Sequence, residues 1–184
     1  MSGVIGQDLQ VQSGKFGFPT GHVLQVKQVK KTGPQSMSAS GSVNWTAVTG
    51  MEATITPSAI TSKILITTAL VVGSSTYAVF AKLQAKTEGG SYSDLGALGD
   101  ASDSRTRIMM SALGGGSGDN SEMSTMTMMY LDSPLTLLKR YYQPWYSSRH
   151  TGTAQINNND NNTNHDYHGR SISTITLMEI AGEL

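Results

Sequence analysis

The residues best suited to metal chemistry sit late in the chain. His165-Asp166-Tyr167-His168, with Asp160 nearby, sets two imidazoles three positions apart beside carboxylates, a donor set that zinc or nickel accepts. Asparagines surround the run, however, and they offer no rigid outer shell to orient the rings. It reads as a polar loop that happens to carry two histidines. Asp94, Asp100, Asp103, Asp119 and Glu122 lie in Gly/Ser-rich text and could supply oxygens to calcium, but no spacing among them matches a calcium loop. Nucleophilic catalysis needs a hydroxyl beside an oriented base, and no Gly-x-Ser-x-Gly elbow occurs. Glycoside hydrolysis needs two carboxylates facing one cleft; the acidic residues are few and none sits among aromatic residues. No catalytic residue, metal ligand or cofactor is assigned, and the chain is expected not to be an enzyme.

Aromatic residues give a better candidate. Tyr141, Tyr142, Trp145 and Tyr146 precede Arg149 and His150. In a strand, Tyr141, Gln143 and Trp145 take one face and Tyr142, Pro144 and Tyr146 the other. One set belongs to a core, and the other is free to stack on a sugar ring or a partner protein. The possible ligand-facing aromatics are Tyr142, Trp145 and Tyr146. Met123, Met126, Met128 and Met129 mark a second strand, whose adaptable side chains suit an irregular core or a subunit seam.

The elements that must hold these residues read as strands throughout. His22 to Val29, Ser42 to Val48, Met51 to Ile55, Lys63 to Val72, Tyr77 to Leu83, Arg105 to Leu113, Met123 to Leu131, Leu137 to Tyr146 and Ser171 to Gly182 show strand patterns between Gly/Pro turn signals. Lys63 to Val72 is nearly apolar, as for a central strand covered on both faces. Pro144 places its strand at an edge or a bulge. The asparagine run after Gln155 reads as a loop that does not pack. The last strand can only pair with strands made earlier, so the domain is not closed until its final residues are in place. About eight strands at this spacing, without sustained helical periodicity, predict an all-β, jelly-roll-like antiparallel β-sandwich.

Composition narrows the function. The chain has 184 residues, a formal net charge of zero and 14% charged residues, against roughly 25% in typical soluble proteins. A nucleic-acid partner requires a basic footprint that is missing here. Near-zero charge also removes the repulsion that opposes self-association. The chain has no cysteine, so disulfides and thiolate metal sites are excluded. The N-terminal text lacks the basic and apolar regions of a secretory signal, and the apolar run Ile64 to Val72 is too short for a membrane helix. Neither a cleaved export signal nor membrane insertion is expected.

Residues 1–21 differ from the rest. Glycines punctuate them and neither periodicity is sustained, so they read as an extended arm before a domain spanning 22–184. Extended, the arm reaches about 70 Å, against a domain about 30–40 Å across. It is long enough to lie on a neighbouring molecule, with Val4, Ile5, Phe16, Phe18 and Pro19 as its contact residues.

Several blocks, in order, carry a resemblance: Thr20 to Val26, Trp45 to Met51, Ala53 to Ser58, Thr61 to Ile66 and Ser171 to Gly182. The domain they span resembles a family of short bacteriophage virion structural proteins. The resemblance implies a β-sandwich of tail fibres or capsid appendages, usually oligomeric. The expected function is therefore assembly in a phage virion, made in the host bacterial cytoplasm. The expected partners are copies of the chain itself, as a homotrimer, and other virion proteins through the arm. The loops Glu88 to Asp100, Gly114 to Asn120 and Gln155 to Asn164 are expected to face outward, toward a host surface glycan or receptor. A capsid decoration protein at a symmetry axis and a carbohydrate-binding module are the alternatives.

Overall fold

The computed structural model describes residues 11–12, 15–16, 19–39, 41–74, 78–96, 98–113, 122–148, 152–159, 166 and 168–183. Among these, every regular element is a strand: β1 (Val11–Gln12), β2 (Lys15–Phe16), β3 (Val23–Lys31), β4 (Gln35–Ala39), β5 (Thr46–Ala47), β6 (Ala53–Ile55), β7 (Lys63–Ser74), β8 (Ala78–Thr87), β9 (Ser93–Asp94), β10 (Met110–Leu113), β11 (Ser124–Asp132), β12 (Arg140–Ser148), β13 (Gly152–Ile156) and β14 (Ser173–Ile180). No described helix is long and apolar enough to cross a membrane.

Pairing defines the architecture. β3 pairs β14, β5 and β6 share β12, β7 pairs β11, and β8 pairs β10, all antiparallel. The first half of the domain therefore runs back along the second half as one long ribbon. Successive pairs of this ribbon fall alternately in two sheets. The first sheet has the rows β3/β4, β14/β13, β7 and β11; the second has β9/β10, β8, β12 and β5/β6. This is the jelly-roll sandwich that the strand spacing predicts. Among the described residues, the two-residue strands β1 and β2 pair with each other.

Alternation fills the core. Ile64, Ile66, Leu70 and Val72 of β7 point inward with Met126 and Met128 of β11 and Ile175 and Leu177 of β14. They meet Val79, Ala81, Leu83 and Ala85 of β8, with Tyr142 and Tyr146 of β12. Burying each large side chain contributes about 1.5–3 kcal/mol. The β7 row is central, as read from its sequence. Its outer positions Leu65, Thr67, Ala69 and Val71 are only half-buried, so it is fully covered on one face rather than two.

The two ends of the sandwich differ. Links 56–62 and 133–139, the start of β3 and the end of β14 gather at one end, called here the arm end. The strand ends Ala39, Ser74, Ala78, Leu113, Ser148 and Gly152 lie at the far end.

Several expectations are corrected. β12 is an interior strand, paired with β8 along its whole length and with β5 and β6 on the other side. Pro144 is accommodated because its carbonyl accepts the Val48 N–H at 2.9 Å. Nitrogen and carbonyl of one strand residue point to the same side, so the missing donor faces the turn between β5 and β6, where no ladder bond is lost. Of Ser42 to Val48 only Thr46–Ala47 is a strand, and of Arg105 to Leu113 only Met110–Leu113. β4, β9 and β13 were not foreseen.

The asparagine run is the largest correction. Gln155 and Ile156 end β13, and Asn157, Asn158 and Asn159 are buried. Asn157 takes a positive φ of 57°, which asparagine tolerates better than most residues. Its amide Nδ2 donates to the Lys31 carbonyl at 2.7 Å, and its Oδ1 accepts the Ser173 hydroxyl at 2.6 Å. This stitches the break between β3 and β4 to the break between β13 and β14. Asn158 and Asn159 lie over the outer face of the first sheet at Gly73, where a Cβ would come within 2.5 Å of the Asn158 carbonyl oxygen.

Candidate functional site

The second sheet turns a cation–aromatic surface outward. Alternation along β8 and β12 puts Lys82, Gln84 and Lys86 beside Tyr141, Gln143 and Trp145. Lys82, itself buried, lies 4.4 Å from the Trp45 ring and 2.7 Å from Asp94 Oδ1. Gln84 Nε2 donates to the same oxygen at 2.7 Å. Burial pushes the Asp94 carboxyl up, but bonds from Lys82 and Gln84 and the charges of Lys82 and Arg107 outweigh it, holding the group below the usual carboxylate value.

Lys86 sits between two rings, 4.6 Å from Tyr92 and 4.8 Å from Tyr141. Its charge also meets Glu52 at 3.8 Å, and the Tyr92 hydroxyl donates to Glu52. Burial and that carboxylate raise the Tyr92 pKa. Tyr92 meets Trp145 edge-on, with ring centroids 6.1 Å apart. Lysines thus occupy the ring faces of Trp45, Tyr92 and Tyr141, each such contact contributing about 0.5–2 kcal/mol. A sugar stacks on a bare ring face. What this surface does chemically is pin the loops bearing Trp45, Glu52 and Tyr92 to the sheet.

The aromatic alternation read from sequence holds, but its ligand-facing members are corrected. Tyr142 and Tyr146 are fully buried in the core, so neither can face a ligand; Trp145 is half-buried on the outer face. Burial pushes the Tyr146 phenol up to about 12. The Tyr142 hydroxyl donates to Asp132 Oδ2 at 2.7 Å, and Arg140 Nη2 reaches the same oxygen at 3.0 Å. Arg140 also donates from Nη1 to the Thr87 hydroxyl at 2.8 Å.

Of the arm residues, Val4, Ile5 and Phe18 lie outside the described residues. Phe16 pairs with Val11 through the backbone, and Pro19, half-buried, accepts from the His22 N–H at 3.2 Å. Asp160, His165, Tyr167, Asp119, Arg149 and His150 also lie outside. Asp166, Asp100, Asp103 and Glu122 are exposed, and among the described residues no three potential ligands gather into a metal site. Asp94 is committed to Lys82. Met126 and Met128 are core, as expected, while Met129 is 67% exposed.

Glu179 was missed. It is fully buried at the arm end, with Oε1 accepting the Ser58 N–H at 2.6 Å and hydroxyl at 2.7 Å, and Oε2 accepting Gln25 Nε2 at 2.6 Å. Burial pushes its carboxyl up, but these bonds from Gln25 and Ser58 prevail and hold it low. The signal was in the sequence: Ile175, Leu177 and Glu179 share strand parity, so a carboxylate had to enter the core face.

No protein-family model and no curated protein matches the chain. Among solved structures it is similar to infectious bursal disease virus, Gx strain, at 10% identity and a TM-score of 0.44. The VP2 subviral particle of that virus gives 9% and 0.41, and its T=1 particles 12% and 0.40. Each alignment covers 98% of this chain but only 41–43% of the other, so the chain spans about two fifths of those proteins. At such scores the likeness carries no role across; the jelly roll stands on its own strand pairing.

Proposed function

We propose that the chain is a structural component of a bacteriophage virion, part of a tail fibre, head fibre or similar appendage. It assembles with copies of itself and is anchored to neighbouring virion proteins through residues 1–21. The observation that carries this reading is the chemical difference between the ends of the sandwich. Where the arm enters, Ile60, Leu135, Leu137 and Leu138 expose 54–69% of their surface on linking segments. There too a groove of about 430 Å³ runs between Thr20-Gly21 and Leu131, Leu135 and Ile180. Exposed apolar residues clustered beside a groove mark a contact surface. The ordered blocks from Thr20 to Gly182 support the phage assignment.

The far end, opposite the anchor, is the end turned toward a host glycan or receptor. The link after β8 starts at the arm end instead and climbs back along β8 through β9. Its outward role is therefore lateral. The chain acts by binding and carries out no reaction.

Deleting residues 1–18 tests the anchoring. The truncated domain is expected to keep its thermal midpoint and to disappear from assembled particles. Normal incorporation of the truncated protein would overturn the reading.

A further inference from the structure

The free edges of the two sheets are not protected alike. A sheet edge presents unpaired N–H and C=O groups, which proteins blunt with lysines or by keeping the edge strand short. β3 carries Lys27, Lys30 and Lys31. β4 has five residues, and β5, β6, β9 and β10 have two to four. β11 has neither protection: nine residues, no lysine, no proline, and no charge before Asp132.

Its hydrogen-bonding groups point outward. Val71 N–H donates to the Ser173 hydroxyl and its carbonyl accepts from Asn157, both at 2.9 Å, so Val71 faces away from β11. Its pair partner Thr125 must then point both backbone groups away from β7. By the period of two, Thr127, Met129 and Leu131 do the same. No backbone hydrogen bond joins that side of β11 to another described residue. Met129 and Leu131 are 67% and 47% exposed beside it.

We propose that β11 pairs antiparallel with β11 of a second copy, about a two-fold axis at Met128. Thr127 then lies opposite the partner's Met129, and Thr125 opposite the partner's Leu131. Each of these outward-facing residues gives and receives one bond. Asp132 falls opposite the partner's Ser124, so no like charges meet. A lysine-bearing edge such as β3 lacks this self-complementarity. The arm is a poor substitute occupant: its strands have two residues each, and Gly3, Gly6, Gly14 and Gly17 interrupt it. The inference stands without the virion reading.

The chain lacks cysteine, which makes cross-linking clean. Opposed residues in such a pair have Cα atoms about 5.5 Å apart, within disulfide reach. The double variant Thr127→Cys with Met129→Cys is expected to yield covalent dimers on oxidation, whereas Val26→Cys on β3 is not. Analytical ultracentrifugation of the full chain should show a dimer. Thr127→Lys with Met129→Lys should weaken it at least tenfold with an unchanged thermal melt. A monomeric wild type at the highest attainable concentration would sink the proposal. So would a dimer that survives the lysine variant; in that case self-association stands through another surface, and the arm-deletion result is untouched.

Discussion

The Tyr142 hydroxyl bonds to Asp132 Oδ2 across the sandwich, tying the beginning of β12 to the end of β11. Because Arg140 shares that oxygen, one carboxylate serves two donors from the other sheet. Tyr142→Phe leaves the ion pair in place and should cost about 1–2 kcal/mol. Asp132→Ala strands a largely buried guanidinium and should cost about 3–5 kcal/mol. Urea unfolding of both variants checks the order; equal losses would show that Arg140 does not depend on Asp132.

Glu179 makes stability depend on acid. Its carboxyl is held below the usual glutamate range in the fold, so its contribution is complete above the unfolded-state value and is lost as the pH falls through the folded one. Thermal midpoints should therefore drop through the acidic range. Glu179→Gln should lower the midpoint at neutral pH and flatten that slope, because an amide nitrogen would confront a donor. A slope identical to that of the wild type would refute the assignment.

Glycines differ in what they permit. A Cβ at Gly73 would lie 2.5 Å from the Asn158 carbonyl oxygen, and one at Gly182 would lie 1.9 Å from that of Thr61, whereas at Gly33 nothing is within 4 Å. Gly73→Ala and Gly182→Ala should each cost about 1–3 kcal/mol. Gly33→Ala should be nearly neutral. Calorimetric midpoints of the three decide it.

The lysine–aromatic surface should behave as a fastener. Trp45→Ala exposes Lys82 and frees its loop, and should cost about 1–2 kcal/mol. Lys86→Met keeps the apolar stem between Tyr92 and Tyr141 but removes the charge, and should cost less than Lys86→Ala. Glycan-array binding by the wild type through Trp145 would contradict the structural role given to this surface.

The sandwich was legible because alternation is local: Val79, Ala81 and Leu83, or Ile175 and Leu177, announce their shared face within a few residues. What stayed hidden depended on distant partners. Pro144 looked disruptive because its harmlessness rests on Val48, nearly a hundred positions away. Asn157 looked unpackable because its hydrogen bonds are supplied by Lys31 and Ser173. For the candidate site, face alternation was readable in Tyr141 to Tyr146. Which face was inside was not, since that is fixed by the sheet opposite.

The departure of the chain between β13 and β14 makes it a natural graft point. Asn157 and Ser173 are joined by a 2.6 Å hydrogen bond, so the ends of the excursion are clamped whatever lies between them. Strand register is set by β7 and not by the excursion. Closing a flexible segment costs only about 0.6 kcal/mol more for each doubling of its length. A foreign peptide spliced between Asn159 and Asp166 should therefore be displayed without loosening the domain beneath it.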